Sequence, residues 1–242
     1  MDDQDSYFRE LSIRFSDGTV EVLHIERRET GTHVPRPREK PKEWAKLSCH
    51  KCSCCPLPDG MPYCPAALSL QATMGKLRAR TSVERVTATA VDGEGRAQSV
   101  EADLQSVGAT LVRFAVFETA CPVGYRLKPY SAGLPAFSDS LSLMRHITRR
   151  ILEKHGGSVE NARQELNETL GPLQEVYYRL CERIRSEAPE ERPKGPEGAP
   201  EAIQDAVPNS IVQADAVAKS FAMRADKLLD EVAGELGWMG RP

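Results

Sequence analysis

The sequence predicts an α+β fold: an N-terminal β-hairpin and a small sheet with a cysteine-rich metal loop, followed by a helical C-terminal half. Three observations predict it: alternating apolar residues near the N-terminus, cysteines clustered between positions 49 and 64, and long stretches of helical periodicity after residue 158. We expect four parts: an α+β domain with a four-cysteine site over 1–157, a helix packed on this domain over 158–185, a flexible linker over 186–201 and a long amphipathic helix over 202–242.

The N-terminal segment has the pattern of a β-hairpin. Apolar residues alternate over 7–15 and resume over 20–25, with the turn sequence Ser16-Asp17-Gly18 between them. Prolines at positions 35, 37 and 41 follow, and their fixed φ and missing N–H predict an extended arm over 33–46.

The middle of the chain predicts alternating short elements. Their order is a helix over 66–77, a strand over 83–91 with a partner over 97–100, a helix over 102–120, a loop over 122–137 and a helix over 141–152. The second of these helices, over 102–120, brings Cys121 to its C-terminal end, far along the chain from the cysteine loop.

Two apolar seams of helical spacing mark the C-terminal half. The first runs from Leu166 to Ile184 and is interrupted by Gly171-Pro172, which should kink the helix or mark its true start. The second predicts a helix from about Asn209 to Leu236, whose apolar face covers either this protein's own core or another protein. The Pro-, Gly- and Glu-rich segment between them predicts a flexible linker.

Composition narrows the classes of function. The net charge is -3 and the pI is about 6.0, so nucleic acid is not an expected partner. The sequence has no apolar run long enough for a membrane span and starts without the features of a signal peptide, so we expect a soluble cytoplasmic protein. In that compartment seven cysteines indicate metal ligands, buried thiols or redox groups rather than disulfides.

Four cysteines form the candidate metal site. Cys52 and Cys55 have the C-x2-C spacing that lets two sulfurs face one point, and we expect Cys64 and Cys121 to complete a tetrahedral set. Zinc is the expected metal, in a closed and catalytically silent site. An iron–sulfur cluster uses the same thiolates and stays open as the alternative, as do ordinary buried thiols.

Neighbouring residues leave the ligand set ambiguous. Cys49 and Cys52 share the same spacing, and His50 is a further candidate ligand. The surplus thiols Cys49 and Cys54 fit a redox switch, in which a resolving thiol waits beside a reactive one. Cys181 lies beside Leu180 on the first helical seam, so we expect it in the core.

The sequence contains no phosphate-binding glycine loop, dinucleotide fingerprint, zinc-protease helix or nucleophile elbow. We therefore expect a non-enzymatic regulatory or protein–protein interaction module that binds another protein, with the C-terminal helix as a candidate contact. A redox protein, either an electron carrier or an oxidoreductase subunit, is the alternative. Nothing in the sequence indicates a small-molecule ligand.

The cysteine motifs resemble those of a family of uncharacterised bacterial proteins. The matching segments are Cys52-Ser53-Cys54-Cys55-Pro56-Leu57, Cys64-Pro65-Ala66-Ala67, Cys121-Pro122, Leu134-Pro135-Ala136-Phe137 and Asn209-Ser210-Ile211. The resemblance covers most of the chain, favours Cys52 and Cys55 as the pair and implies no known activity. Two departures are Gly133, where the family has His, and the inserted Ala136.

Overall fold

A four-stranded antiparallel sheet forms the N-terminal part of the molecule. The computed structural model describes residues 8–24, 40–92, 94–187 and 205–238. The strands are β1 (Phe8–Arg14), β2 (Val20–His24), β3 (Arg85–Asp92) and β4 (Ala97–Asp103), in the order β2-β1-β3-β4. The predicted hairpin and the predicted later strand pair are both confirmed, and they join because β1 pairs with β3.

The sheet buries one face. Leu11 and Ile13 of β1 are 1% and 0% exposed, and they lie opposite Ala90 and Ala88 of β3. Side chains of a strand alternate between its two faces, so these residues share the side that joins the hydrophobic core.

Seven helices complete the fold in the described residues. They are α1 (Pro65–Met74), α2 (Leu104–Phe117), α3 (Pro122–Tyr125), α4 (Lys128–Ser131), α5 (Ser140–Lys154), α6 (Val159–Arg185) and α7 (Ala206–Glu235). Asp103 and Asp139 cap α2 and α5 by accepting hydrogen bonds from the N–H groups of Ser106 and Ser142. Among the described residues no helix is long and apolar enough to cross a membrane.

Two predicted irregular segments contain helix. The predicted loop over 122–137 holds α3 and α4, each with a proline in its first turn, where the missing N–H costs little. The predicted extended arm includes a 3-10 turn at Glu43–Ala45, in which Trp44 and Ala45 are buried. The part of the arm before residue 40 lies outside the described residues.

Helix α6 runs through Gly171-Pro172, which excludes one of the two predicted alternatives, that this pair marks the start of the helix. The helix begins instead at Val159, where Ser158 is the N-cap. Gly171 has no Cβ to clash with the ring of Pro172, which removes one of the two obstacles to helical backbone before a proline.

Helix α7 is about 45 Å long at 1.5 Å per residue and packs against α2, α5 and α6. Its predicted seam is buried inside this chain; Phe221, for example, is 3% exposed. The start of the helix is fastened to the turn before β3, because the Ser82 N–H donates to Asp205 Oδ1 at 2.7 Å and the Ala206 N–H donates to Arg80 O at 3.2 Å.

The end of α6 is fastened to the same turn. Arg78 Nη2 lies 2.8 Å from both carboxylate oxygens of Glu187, and Lys42 Nζ lies 2.8 Å from Glu187 Oε1. The predicted flexible linker over 186–201 lies outside the described residues from position 188 onward.

Gly108 lets α2 approach α7 closely. A Cβ added at Gly108 would collide with Ser210 Oγ and lie 2.7 Å from Ser210 Cβ. The Ser210 hydroxyl cannot turn away without losing its hydrogen bond to Ala206 O, at 2.6 Å.

Replacement of Gly108 by Ala is therefore expected to destabilise the protein by about 1–3 kcal/mol, the usual cost of overpacking. Gly75→Ala is the matched control, since Gly75 is helical in conformation and has no atom within 4 Å of an added Cβ. The free energy of unfolding of this control should rise by about 0.4–1 kcal/mol, because alanine reduces the conformational entropy of the unfolded chain. Denaturant titration measures both, and a neutral Gly108→Ala would contradict the close approach.

Candidate functional site

The cysteine loop is closed at its base by backbone hydrogen bonds. Lys46 forms a β-bridge with Tyr63, the Leu47 N–H donates to Pro62 O at 3.0 Å, and the Cys64 N–H donates to Ala45 O at 2.9 Å. Within the loop the Cys55 N–H donates to Cys52 O at 3.1 Å, which makes the C-x2-C segment a turn. Both sulfurs of the pair can then face the same side.

The other two predicted ligands each stand directly before a helix. Cys64 is the N-cap residue of α1, followed by Pro65, and Cys121 is the N-cap residue of α3, followed by Pro122. Cys121 is buried at 6% exposure. The two Cys-Pro steps thus have one structural role, since proline is tolerated in a first helical turn and fixes where the helix starts.

The structure brings Cys52, Cys55, Cys64 and Cys121 to the wall of one small cavity. Its volume is about 20 Å³, enough for one water-sized body. The thiols come from three separate parts of the chain, and the rest of the wall includes apolar residues of α6 such as Val176 and Leu180.

Burial and mutual repulsion dominate the electrostatics of these thiols. Burial raises the pKa of Cys52 to about 12, with further contributions from the neighbouring sulfurs, Cys64 first. Burial also raises the pKa of Cys121 to about 11, although N–H groups of Gly124 and Val123 bond its sulfur and act in the opposite direction. Thiols in this state stay protonated at neutral pH, so thiolates here need a cation beside them.

Two arginines of α6 line the same cavity. Arg183 is 1% exposed and donates to the base of the cysteine loop, from Nη1 to Trp44 O at 2.9 Å and to Lys46 O, and from Nη2 to Leu47 O at 3.2 Å. Within the described part of the chain no carboxylate forms an ion pair with Arg183. Arg179 Nε lies 3.5 Å from Glu175 Oε1. Both arginines therefore share the cavity wall with the four cysteines, and Arg179 is paired with a carboxylate.

The remaining candidate residues are engaged elsewhere. Cys49 Sγ lies 3.7 Å from Ser186 Oγ, and Cys54 Sγ donates to Pro172 O at 3.9 Å. His50 is exposed and has a positive φ of 46°. Cys181 is buried on α6, as predicted. All seven cysteines fall within the described residues, and each is a free thiol.

As the side chains stand, the described residues contain no group of three or more His, Cys, Asp or Glu that could hold a metal ion. The four thiols share a cavity wall but are not drawn together into a coordination shell. The donor set nevertheless suits zinc, which takes four thiolates in a tetrahedron.

The structure also has two cavities that sequence reasoning missed. One, of about 320 Å³, lies among α2, α5, α6 and α7 and is mostly apolar, with Arg113 and Tyr177 on its wall. The other is a polar cleft beside Tyr130, Lys154, His155 and Glu165, in which Lys154 Nζ lies 2.8 Å from Glu165 Oε2. A signal for the first was present: Arg113 is the only charged residue of α2.

Comparison with known proteins gives a family and no function. A family model described as a domain of unknown function, DUF6901, matches residues 10–235. No curated protein and no solved structure matches the chain. The match agrees with the resemblance to an uncharacterised family that the cysteine motifs indicate. Because the matched range includes both the sheet and the helical half, the chain belongs to the DUF6901 family.

Proposed function

We propose that Cys52, Cys55, Cys64 and Cys121 bind one Zn²⁺ as thiolates and that this ion joins the cysteine loop to the start of α3. The observation that carries the proposal is the convergence of these four thiols, from three separate segments, on one cavity. Four thiolates fill the tetrahedral shell of zinc and leave no open position for a substrate, so the proposed role of the ion is structural.

The charge around the cavity supports this assignment. A zinc ion with four thiolates carries a net charge of about -2, which is costly to bury without compensation. Arg183, on the cavity wall and without a carboxylate partner in the described residues, offers that compensation. Arg183 also binds three carbonyl groups at the base of the loop, so it couples the proposed metal site to α6.

The proposed function of the whole chain is that of a non-enzymatic cytoplasmic module that binds another protein and regulates it. The apolar seam of α7 is covered within the chain, so a partner would contact the outer face of this helix. Val212 and Met223 of that face are 46% and 82% exposed and lie about three helical turns apart, hence on one side.

The alternative, an iron–sulfur or thiol redox protein, draws less support. A reactive thiol needs a lowered pKa and a resolving partner. Burial and a hydrogen bond to Glu175 instead raise the pKa of Cys54 to about 11, and the sulfurs of Cys49 and Cys54 bond to other groups. An iron–sulfur cluster would use the same four cysteines as zinc, so metal analysis decides between them.

Metal analysis of protein purified without chelators or affinity metals is the direct test. We expect a colourless protein with one zinc per chain, which a chelator removes together with part of the thermal stability. Iron with sulfide and absorbance at about 400 nm would establish the cluster instead. A fully stable protein without either metal would overturn the proposal.

A further inference from the structure

The cavity among the helices has the size and lining of a small-molecule site, independent of the cysteines. At about 320 Å³ it lies at the lower end of the range for ligand pockets, about 300–1,000 Å³. Its wall is formed by β4, α2, α5, α6, α7 and the turn before α5, and includes Phe117, Leu173 and Phe221. An apolar body would be covered from several sides.

One cationic side chain lines this cavity in the described residues. Arg113 Nη2 donates to Ala136 O, at 2.6 Å, and no described carboxylate forms an ion pair with this guanidinium. Burial lowers the pKa of Arg113, with opposing contributions from Tyr177 and Glu118. Arginine nevertheless stays charged in proteins, so the cavity holds a positive charge that is only partly compensated.

A second donor stands near the guanidinium. Tyr177 is 4% exposed and lies on the wall of the same cavity as Arg113. Burial raises the pKa of Tyr177, so the hydroxyl keeps its proton and can donate it to an acceptor. Gln213, on the α7 side, donates from Nε2 to Ser106 Oγ at 3.3 Å.

We propose that this cavity binds a monocarboxylate with an unbranched apolar body, of the medium-chain fatty acid type, with its carboxylate on Arg113 and the Tyr177 hydroxyl. A carboxylate matches the guanidinium in charge and in geometry, and such charge-assisted pairs are strong where water is excluded. The apolar body lies against Phe117, Leu173 and Phe221.

The rim of the cavity favours a ligand with one carboxylate over a ligand with two. Asp139 lies there, and its carboxylate accepts from the Ser142 N–H at 2.9 Å and from the Ser142 hydroxyl at 2.6 Å. The hydrogen bonds from the Ser142 side chain and N–H lower the pKa of Asp139, so this carboxylate stays charged at neutral pH. It repels a second negative charge near the entrance.

Calorimetric titration of the full-length protein with octanoate, octanol and octylamine tests the proposal, because the three probes share their apolar body and differ in charge. We expect octanoate to bind about tenfold or more tightly than octanol, the effect of a hydrogen-bonded charge pair, and octylamine to bind least. Arg113→Met should weaken the binding of octanoate by about tenfold and leave the binding of octanol unchanged. Arg149→Met, at an exposed site on α5, should change neither.

Two further variants keep the result interpretable. Ala109→Leu fills the cavity from α2 and should weaken octanoate and octanol together. Tyr177→Phe removes one hydrogen-bond donor and should weaken the binding of octanoate by a few-fold without changing the binding of octanol. This variant tests the proposal if circular dichroism shows that Arg113→Met does not fold. The proposal is overturned if octanoate does not bind, if octanol binds equally well, or if folded Arg113→Met and Tyr177→Phe both bind octanoate like the unmodified protein.

Discussion

Replacement of any one of Cys52, Cys55, Cys64 and Cys121 by Ser is expected to remove the zinc and to destabilise the fold by about 3 kcal/mol or more. Structural zinc contributes about 10–16 kcal/mol of binding free energy in small domains, and each thiolate supplies roughly a quarter of the shell. For a chain of this size the melting temperature should then fall by about 6–12 °C. Zinc content and thermal unfolding, measured on the same preparations, give both quantities.

Cys49→Ser and Cys54→Ser are the matched controls, since both residues lie in the same loop but not on the wall of the cysteine cavity. Each should keep one zinc per chain and nearly the original melting temperature. Loss of zinc in Cys49→Ser with retention in Cys55→Ser would show that the pair is Cys49 and Cys52. Equal and small effects of all six substitutions would contradict a metal site.

Phe221→Asp is expected to cost about 4 kcal/mol or more, because it removes a buried aromatic ring and places a carboxylate among apolar side chains. Phe221 is 3% exposed on α7, whose inward face packs on three other helices. The variant should still unfold in one cooperative transition, with a melting temperature lower by about 8 °C or more.

Met223→Asp gives the comparison, two residues along the same helix at 82% exposure. It should leave the melting temperature within about 2 °C, as surface substitutions do. If the outer face of α7 binds a partner, this variant keeps its stability and loses the partner. Unchanged stability of Phe221→Asp would show that α7 is not part of the core.

Sequence reasoning succeeded where a local pattern determines local structure. The alternation in β1 and the spacing in α7 predicted both elements, since the same periodicity that marks an amphipathic segment also determines which face is buried. The four cysteines could be proposed as one set, because C-x2-C and Cys-Pro steps constrain nearby backbone. Whether they bind metal stays a prediction.

Other features depend on contacts distant in sequence. Arg183 is buried because three carbonyl groups of residues 44–47 accept its N–H groups, a contact that no local pattern indicates. Arg113 faces a cavity that exists only after four helices assemble. The sequence left open whether Pro172 lies inside α6 or at its start, because propensity alone disfavours proline inside a helix, while the packing of the rest of α6 outweighs one lost backbone hydrogen bond.

The end of α6 and the start of α7 are both anchored to one short stretch of the chain. Arg78 holds Glu187, and Arg80 and Ser82 hold the start of α7, so the stretch 78–82 fixes both ends of the segment 188–204. The sequence predicts a flexible linker over 186–201, and closing a flexible loop costs an entropy that grows only with the logarithm of its length. From that prediction we expect halving or doubling the linker to change stability by about 0.6 kcal/mol, whereas loss of an anchor removes contacts that the structure shows.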